Sequence, residues 1–486
     1  MLLRQSEVQA MNPPKTKQLR ARSTLFALAV LLTGCSTFSP DGGFGRVQQI
    51  TTTHLGKTLV MAKTEADHDT INGRVAQLLA KPLTADDAIQ IALLNNRGLQ
   101  ASFQELGVTE AEVVQAGRLP NPGFSFSRLR RGSELELERG VHFNLARWLM
   151  MPMVMPWAGA MEARRFEQTQ AVVAMRVLSL AADTRKAHIM AVAAAETVRY
   201  TRQVMQAAQA SAELARRMAA VGNFSKLQQA REQSFYADAA LNQARAQQGQ
   251  NASREKLIRL LGLWGEQTTF TLPERLPDLP KTPIEQPDIE RLALAQRLDV
   301  QSARLAAEQS AKSLGLTRAT RFVNVLELGL RSNSSNELPT QRGWEISLEL
   351  PLFDWGDARV ARAESIYMQA LHHTAEMAIN ARSEVREAYG NYRAAHDIAR
   401  HQRDEIVPLR QRINDENVLR YNGMLIGVFE LLADARVQIA SVNGAIDALR
   451  DFWLAQADLD MALIGKPSLA AMAAPAMATE AGDAKH

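Results

Sequence analysis

The sequence predicts a mainly α-helical chain with a smaller β component of amphipathic strands, organised as two similar helix–β-hairpin–helix halves. Three observations predict it. The first is duplication. Gly222 sits in Val221-Gly222-Asn223-Phe224 and Gly423 in Tyr421-Asn422-Gly423-Met424, at an offset of 423 − 222 = 201. Leu260-Leu261-Gly262 and Leu463-Ile464-Gly465 repeat at 465 − 262 = 203. A unit of about 200 residues far exceeds the ~20–50 of solenoid repeats, so the chain is a pair of halves. Such wedges suit a ring. The second is composition: aromatics are 6% of the chain, while Ala, Arg, Gln and Glu fill long stretches, as in long packed helices. The third is a switch of apolar period from 3.6 to 2, once in each half.

The N-terminus reads as a targeting segment. Lys15, Lys17, Arg20 and Arg22 form a basic region, and Thr24–Leu32 is an apolar run. That run suits a signal sequence and is too short to span a membrane. It ends in Leu32-Thr33-Gly34-Cys35, which resembles a bacterial lipobox, and Cys35 is the only cysteine. No intrachain disulfide accounts for it. Lipid on Cys35 would anchor the chain independently of its fold. Ser36 stands where an aspartate would favour inner-membrane retention in such lipoproteins, so the outer membrane is expected. Met11 serves equally well as a start, since residues 1–10 only lengthen the basic region.

The segment to about residue 81 has weak periodicity and reads as an extended arm. Thr84 with Asp87 three residues on marks a helix start. Ala88, Ile91, Ala92, Leu99 and Phe103 continue one helix toward Gln115. It must stop at Leu119-Pro120-Asn121-Pro122-Gly123.

Phe124 and Phe126 then alternate with serines. After an Arg/Glu-rich loop, Val141, Phe143 and Leu145 alternate with His142, Asn144 and Ala146. In the second half, Leu326, Leu328 and Leu330 alternate with Glu327, Gly329 and Arg331. A polar loop, Ser332–Asn336, leads to Trp344, Ile346, Leu348 and Leu350, which alternate with Glu345, Ser347 and Glu349. Four strands with one apolar and one polar face suit a membrane barrel or a half-buried soluble sheet. Four strands close no barrel, so the membrane reading requires several chains to share one.

Long helices follow each hairpin, from about Ala160 to Ala220 and from Asp357 to Arg420, with a kink at Pro408. About 60 residues reach ~90 Å. They return as Phe224–Leu261 and Leu425–Ile464, lengths that call for coiled-coil-like packing. Prolines 273, 277, 280, 283 and 287 form a linker between the halves. The Ala-rich tail after Pro467 lacks the apolar residues to order itself.

Several function classes find no support. The net charge is +4, but basic and acidic residues interleave along the helices. That is a solvated face rather than a phosphate stripe, and no nucleic acid is expected as a partner. No Walker loop, nucleophile elbow or His-Glu-x-x-His appears, so the chain is not expected to be an enzyme or to hold a cofactor. Met150, Met151, Met153 and Met155 present thioethers that suit soft metals, yet methionine more often fills irregular junctions. His372-His373 and the pair His396/His401 have spacings poor for sharing a metal on a helix, so no metal site is assigned.

Lipobox, duplicated halves and proline linker together resemble the TolC-like outer-membrane efflux protein family. The resemblance spans about Leu83 to Gly465. It is carried by Arg118-Leu119-Pro120-Asn121-Pro122, Leu260-Leu261-Gly262 with Leu272-Pro273, Ala295-Gln296-Arg297-Leu298-Asp299, Leu350-Pro351-Leu352-Phe353-Asp354-Trp355-Gly356, and Tyr421 with Glu430-Leu431-Leu432. It implies a homotrimer in which three chains give four strands each to one twelve-stranded outer-membrane barrel. The long helices form a periplasmic coiled-coil α-barrel. An inner-membrane pump and a periplasmic adaptor would complete an export path.

On that reading residues 1–34 are signal and 35–82 a lipidated arm. Residues 83–265 and 288–466 are the two repeats, 266–287 the linker and 467–486 a disordered tail. Gly222 and Gly423 sit at periplasmic tips that dock the adaptor, each expected in the left-handed conformation that helix reversal needs. Asp434, and more weakly Glu430, are candidates for a gate, because an inward acid becomes a threefold ring that favours cations. A salt bridge from Asp434 to Arg436 or Arg420 is the alternative. A non-transporting adaptor lipoprotein with periplasmic coiled coils is the competing function, but it would not need two amphipathic hairpins.

Overall fold

A computed structural model describes residues 37–118, 121–321, 326–348 and 352–467. Cys35 with the segment before it, positions 119–120 and 349–351, and the tail beyond 467 lie outside the described residues. The first half contains α1 (Phe44–Leu55), α2 (Glu65–Leu79), α3 (Ala85–Asn95), α4 (Arg97–Ala116), β1 (Gly123–Arg131), β2 (Glu134–Phe143), α5 (Leu145–Ala220) and α6 (Lys226–Leu261). The second contains α7 (Ile289–Gln296), α8 (Leu298–Thr320), β3 (Leu326–Ser335), β4 (Gln341–Leu348), α9 (Asp357–His401), α10 (Val407–Asn422) and α11 (Val428–Ile464). From α3 onward the order of elements runs twice, as the duplication predicts. Among the described residues no helix is long and apolar enough to cross a membrane.

The chain forms two compact units. One draws on the chain up to Gly42, on Val108–Ala163 and on Lys312–Ala363. It holds a single antiparallel sheet in the order β1-β2-β3-β4. The expected loops are shorter than read from sequence. The Arg/Glu-rich stretch belongs to β1 and β2, joined only by Gly132 and Ser133, with Gly132 at φ 61°. Such a two-residue turn needs positive φ to match strand twist. Ser332–Ser335 likewise extend β3 rather than forming a loop. Leu145 is no strand residue: it opens α5, which runs through the Met/Pro segment instead of starting near Ala160.

The other unit draws on Gly43–Gly107, on Arg164–Ala311 and on the chain from Glu364. Its core is built by helix faces of the same chain. Val47, Leu59, Phe103, Val177, Leu178 and Met461 share one buried cluster, and Tyr392, Phe452 and Leu459 another. The segment expected as an extended arm holds α1 and α2. Val47 and Thr51 are the buried pair of α1, and Thr64 with Asp67 forms a reciprocal capping box on α2. The β-branched Thr51-Thr52-Thr53 run hides this helix from propensity, while one apolar face against Phe103 and Val173 sustains it.

The helix expected from Thr84 to Gln115 breaks at Asn96, whose ψ is 115°. Its counterpart Arg297 breaks α7 from α8 with ψ 123°. Both side chains fasten the end of the returning helix of their own half. Asn96 Nδ2 donates to Leu260 O at 3.0 Å, and Arg297 Nη1 donates to Ala462 O at 3.4 Å. Arg297 is fully buried and forks onto Asp299 at 3.0 and 2.6 Å, with Glu384 at 2.7 Å. Paired carboxylates make that burial tolerable.

The kink expected at Pro408 is a π-helical turn over Gln402–Ile406. Proline lacks the N–H that would bond the carbonyl four residues back, at position 404. The proline segment between the halves is a packed strap rather than a loose spacer. Leu276 and Leu279 are buried. Trp453 Nε1 donates to Pro277 O at 3.0 Å, and the Ile284 N–H donates to Tyr392 Oη at 2.9 Å.

Candidate functional site

The sheet has two chemically distinct faces, set by register. Phe124, Val141, Leu330 and Trp344 form one cross-strand row. Phe143, Leu328 and Ile346 form the next, and Leu326 pairs with Leu348. Because strand side chains alternate, the residues of the first two rows share a face. Phe124, Phe126, Leu330, Trp344 and Ile346 are all exposed, Trp344 at 70%. The opposite face carries Ser125, Ser127, Glu138, His142, Glu327, Asn333, Glu345 and Ser347. There Arg331 pairs with Glu345 at 2.6 Å and Glu138 at 3.6 Å. The His142 ring lies over Gly123, in the space that a Cβ there would take. The assignments of Trp344 and Ile346 to one face and Glu345 and Ser347 to the other agree with the sequence. Leu350 and Glu349 lie outside the described residues.

In the helical unit the two tips differ from expectation in one respect. At the first, Gly222 has φ 80°, Gly222 N–H donates to Ala219 O at 3.2 Å and Asn223 N–H to Met218 O at 2.9 Å. This double bond pattern closes a helix through a left-handed residue. At the second tip, Gly423 has φ −80° and is not left-handed. Met424 takes that place with φ 59°, donating to Tyr421 O at 3.0 Å, while Leu425 N–H donates to Arg420 O at 2.9 Å. The expectation for Gly423 is thereby corrected. The structural offset is 424 − 222 = 202, between the two read from sequence, because the nearer glycine drew the alignment one residue off.

That offset organises the rest. Ser225 caps α6 and Gln228 bonds back in a capping box, with Ser225 N to Gln228 Oε1 at 2.7 Å. Their counterparts are Gly427, which caps α11 without a side chain, and Glu430. Glu232 corresponds to Asp434. Glu232 is 2% exposed, accepts from Ser211 Oγ at 2.9 Å and pairs with Arg436 at 3.1 Å. The Arg436 guanidinium also lies 4.2 Å from the Phe235 ring centre. Asp434 accepts from Asn417 Nδ2 and forms the salt bridge neither to Arg436 nor to Arg420, the latter pairing with Glu416. The Glu232–Arg436 bridge, which ties α6 to α11, escaped the sequence reading because a buried glutamate among many surface acids has no local signature.

The remaining candidates are placed as follows. His373 pairs with Glu376 at 3.3 Å and His401 with Glu405 at 3.1 Å, both exposed. His396 is buried with Nε2 at 3.1 Å from Pro280 O. No group of three or more metal-ligating His, Cys, Asp or Glu side chains occurs among the described residues. Met150, Met151, Met153 and Met155 lie on the backbone of α5. Farther along α5, His188 Nε2 contacts Leu83 O at 2.7 Å, and burial holds its pKa below the usual histidine value.

No protein-family model matches this sequence, and no curated protein matches it. Solved structures do. The chain is similar to CusC, described in crystal structures of its folding and transmembrane channel formation, at 17% identity over 78% of this chain and 92% of that one, TM-score 0.63. It is similar to the CmeC outer-membrane channel of Campylobacter jejuni at 14% identity, over 84% and 89%, TM-score 0.66. It is also similar to the open state of the MtrE outer-membrane channel of Neisseria gonorrhoeae at 18% identity, over 78% and 88%, TM-score 0.64. At such identities the likeness shows the fold alone, which this chain shares with those structures.

Proposed function

We propose that this chain is the outer-membrane channel of a tripartite export system: a passive homotrimeric conduit joined through a periplasmic adaptor to an inner-membrane pump. The observation that carries the reading is the four-stranded sheet, exposed and apolar on one face, polar on the other, with β1 and β4 as its edges. In lipid, every unsatisfied backbone group costs several kcal/mol, so an open edge is not viable there. Three copies give twelve strands and no edge, with apolar residues toward lipid and Arg331, Glu345 and His142 toward water. The solved channels that share the fold support the same assignment.

The remaining assignments follow. Cys35 carries lipid and holds the chain in the outer membrane. The tips at Gly222 and Met424-Gly423 meet the adaptor. The acids near the second tip, Asp434 and Glu430, line a gate, with the Glu232–Arg436 bridge holding the two hairpins together at rest. The conduit supplies no energy and turns over no substrate; the pump does both.

The test is reconstitution of the purified full chain. Trimeric mass in mild detergent and ion conductance in planar bilayers are expected. A monomer that stays soluble once delipidated, or bilayers that remain silent even with Glu232→Ala, would overturn the reading. For the anchor, Cys35→Ala should abolish the mass gain of lipidation; an unchanged mass and membrane fraction would refute it.

A further inference from the structure

The apolar face of the sheet does not stay apolar along its length. Toward the hairpin turns, the row after Phe124-Val141-Leu330-Trp344 reads Phe126, Arg139, Ser332, Arg342. The next pairs Arg128 with Leu137. Arg128, Arg130, Arg139 and Arg342 thus stand on the same face as Trp344 and Ile346, and all four are exposed; Arg130 Nε donates to Gly132 O at 3.2 Å at the turn, which leaves the other three for a partner. No described strand residue on this face is a carboxylate: Glu134, Glu136, Glu138, Glu327 and Glu345 all have the opposite parity. The charges of the sheet are therefore segregated, with acids on the face that carries Arg331 and unopposed guanidinium groups on the apolar face. Arg331 is compensated by Glu345 at 2.6 Å, whereas Arg128, Arg139 and Arg342 form no ion pair with any described residue.

The spacing is specific. Arg128 and Arg139 are diagonal neighbours on adjacent strands, roughly 7–8 Å apart at the backbone. Arg342 lies two strands from Arg139, about 9.6 Å away. Like charges this close repel, and they stand beyond the apolar rows toward the hairpin turns, where on the channel reading hydrocarbon gives way to head groups. Guanidinium forks bind phosphate oxygens bidentately. Three uncompensated guanidinium charges exceed the roughly −1.5 to −2 that one phosphate brings, and two phosphates match them.

We infer that Arg128, Arg139 and Arg342 form a docking surface for a lipid head group bearing two phosphates in the outer leaflet. This rests on the channel reading, which places the hairpin turns at the outer side of the membrane. The apolar rows bury in acyl chains while the arginines hold the phosphates.

The experiment uses the purified full chain in mild detergent with diphosphorylated lipid A, its dephosphorylated form, phosphatidylglycerol and inorganic phosphate. Native mass spectrometry should show diphosphorylated lipid retained by the wild type, and retention reduced at least about tenfold in Arg128→Gln/Arg139→Gln/Arg342→Gln. Arg331→Gln should retain it. Equal retention by the triple variant overturns the proposal. So does equal binding of phosphatidylglycerol, which marks a generic anionic surface, or of inorganic phosphate, which marks an ion site. Conductance in phosphatidylcholine bilayers keeps the two readings apart. If both proteins conduct and both retain lipid equally, the docking surface alone fails. If the wild type does not conduct, the channel reading fails and the docking surface with it.

Discussion

The two helical tips descend from one duplicated unit and now do different things with the same architecture. At the first, glycine occupies the left-handed position, serine caps the next helix, and Gln228 closes the capping box. At the second, each is replaced at the constant offset of 202. Methionine stands in the left-handed position, glycine at the cap, and Glu430 at the third helical residue without a side-chain partner at the cap. A non-glycine residue there costs roughly 1–2 kcal/mol, and losing a cap costs about 1 more. The acids two turns further on differ likewise. Glu232 is buried in a bridge to Arg436, while Asp434 is half-buried against Asn417. One tip is locally self-sufficient. The other is strained, and a bridge from the first half leads to its helix. Strain concentrated at one of two homologous turns makes that turn the one expected to open first.

The largest effect should come from cutting that bridge. Glu232→Ala leaves the Arg436 guanidinium and Ser211 hydroxyl without their acceptor, a loss of about 2–3 kcal/mol of local stability. Asp434→Ala removes one hydrogen bond at a half-buried site and should cost about 1 kcal/mol. Hydrogen exchange across α11 measures both. Faster exchange over residues 428–440 in Glu232→Ala than in Asp434→Ala is expected, with higher open probability in bilayers. Equal exchange in the two variants would show that the halves are not asymmetrically clamped.

Much of this comparison was legible in the sequence, and the rest was hidden for physical reasons. Duplication, four amphipathic strands and long helices leave periodic signals that survive without tertiary context. So the apolar rows through Trp344 and Ile346 and the ends of α6 and α11 could be read directly. The tip at Met424 could not. Glycine is the usual left-handed residue, and Gly423 was one position away, yet its φ of −80° is held by the helical bond to Leu419 O at 2.9 Å. The strand extents were missed because Arg128, Arg139 and Ser332–Ser335 look like loop residues when one face of a sheet is assumed apolar throughout. Arg297 reads as a surface cation until Asp299 and Glu384 are seen to enclose it, a contact 87 residues apart in sequence for the second.

The strained methionine gives a reciprocal test of smaller size. Met424→Gly should stabilise the second tip by up to about 1 kcal/mol, since the left-handed cost disappears while glycine's extra unfolded-state entropy offsets part of the gain. Gly222→Ala should destabilise the first by a similar amount. Gly423→Ala, at a helical φ, should be close to neutral. Slower exchange at 419–427 in Met424→Gly, with lower conductance, is the expected pair of results. A large loss in Gly423→Ala would restore Gly423 as the pivot and reject Met424.

The smallest effect concerns the cap. Gly427→Ser should rebuild at the second tip what Ser225 and Gln228 make at the first. The new hydroxyl would accept from the backbone N–H of Glu430, and the Glu430 carboxylate could bond back to the N–H of residue 427. Relative to glycine a serine cap adds only a few tenths of a kcal/mol, and the reciprocal bond adds a comparable amount. The readout must therefore be local. Protection of the N–H groups at 428–431 should rise two- to threefold, and should fall back in Gly427→Ser/Glu430→Ala. Combined with Met424→Gly, the serine should make the second tip exchange like the first. If the doubly repaired tip still opens faster than the Gly222 turn, the asymmetry resides in the Glu232 and Asp434 contacts rather than in the turn itself.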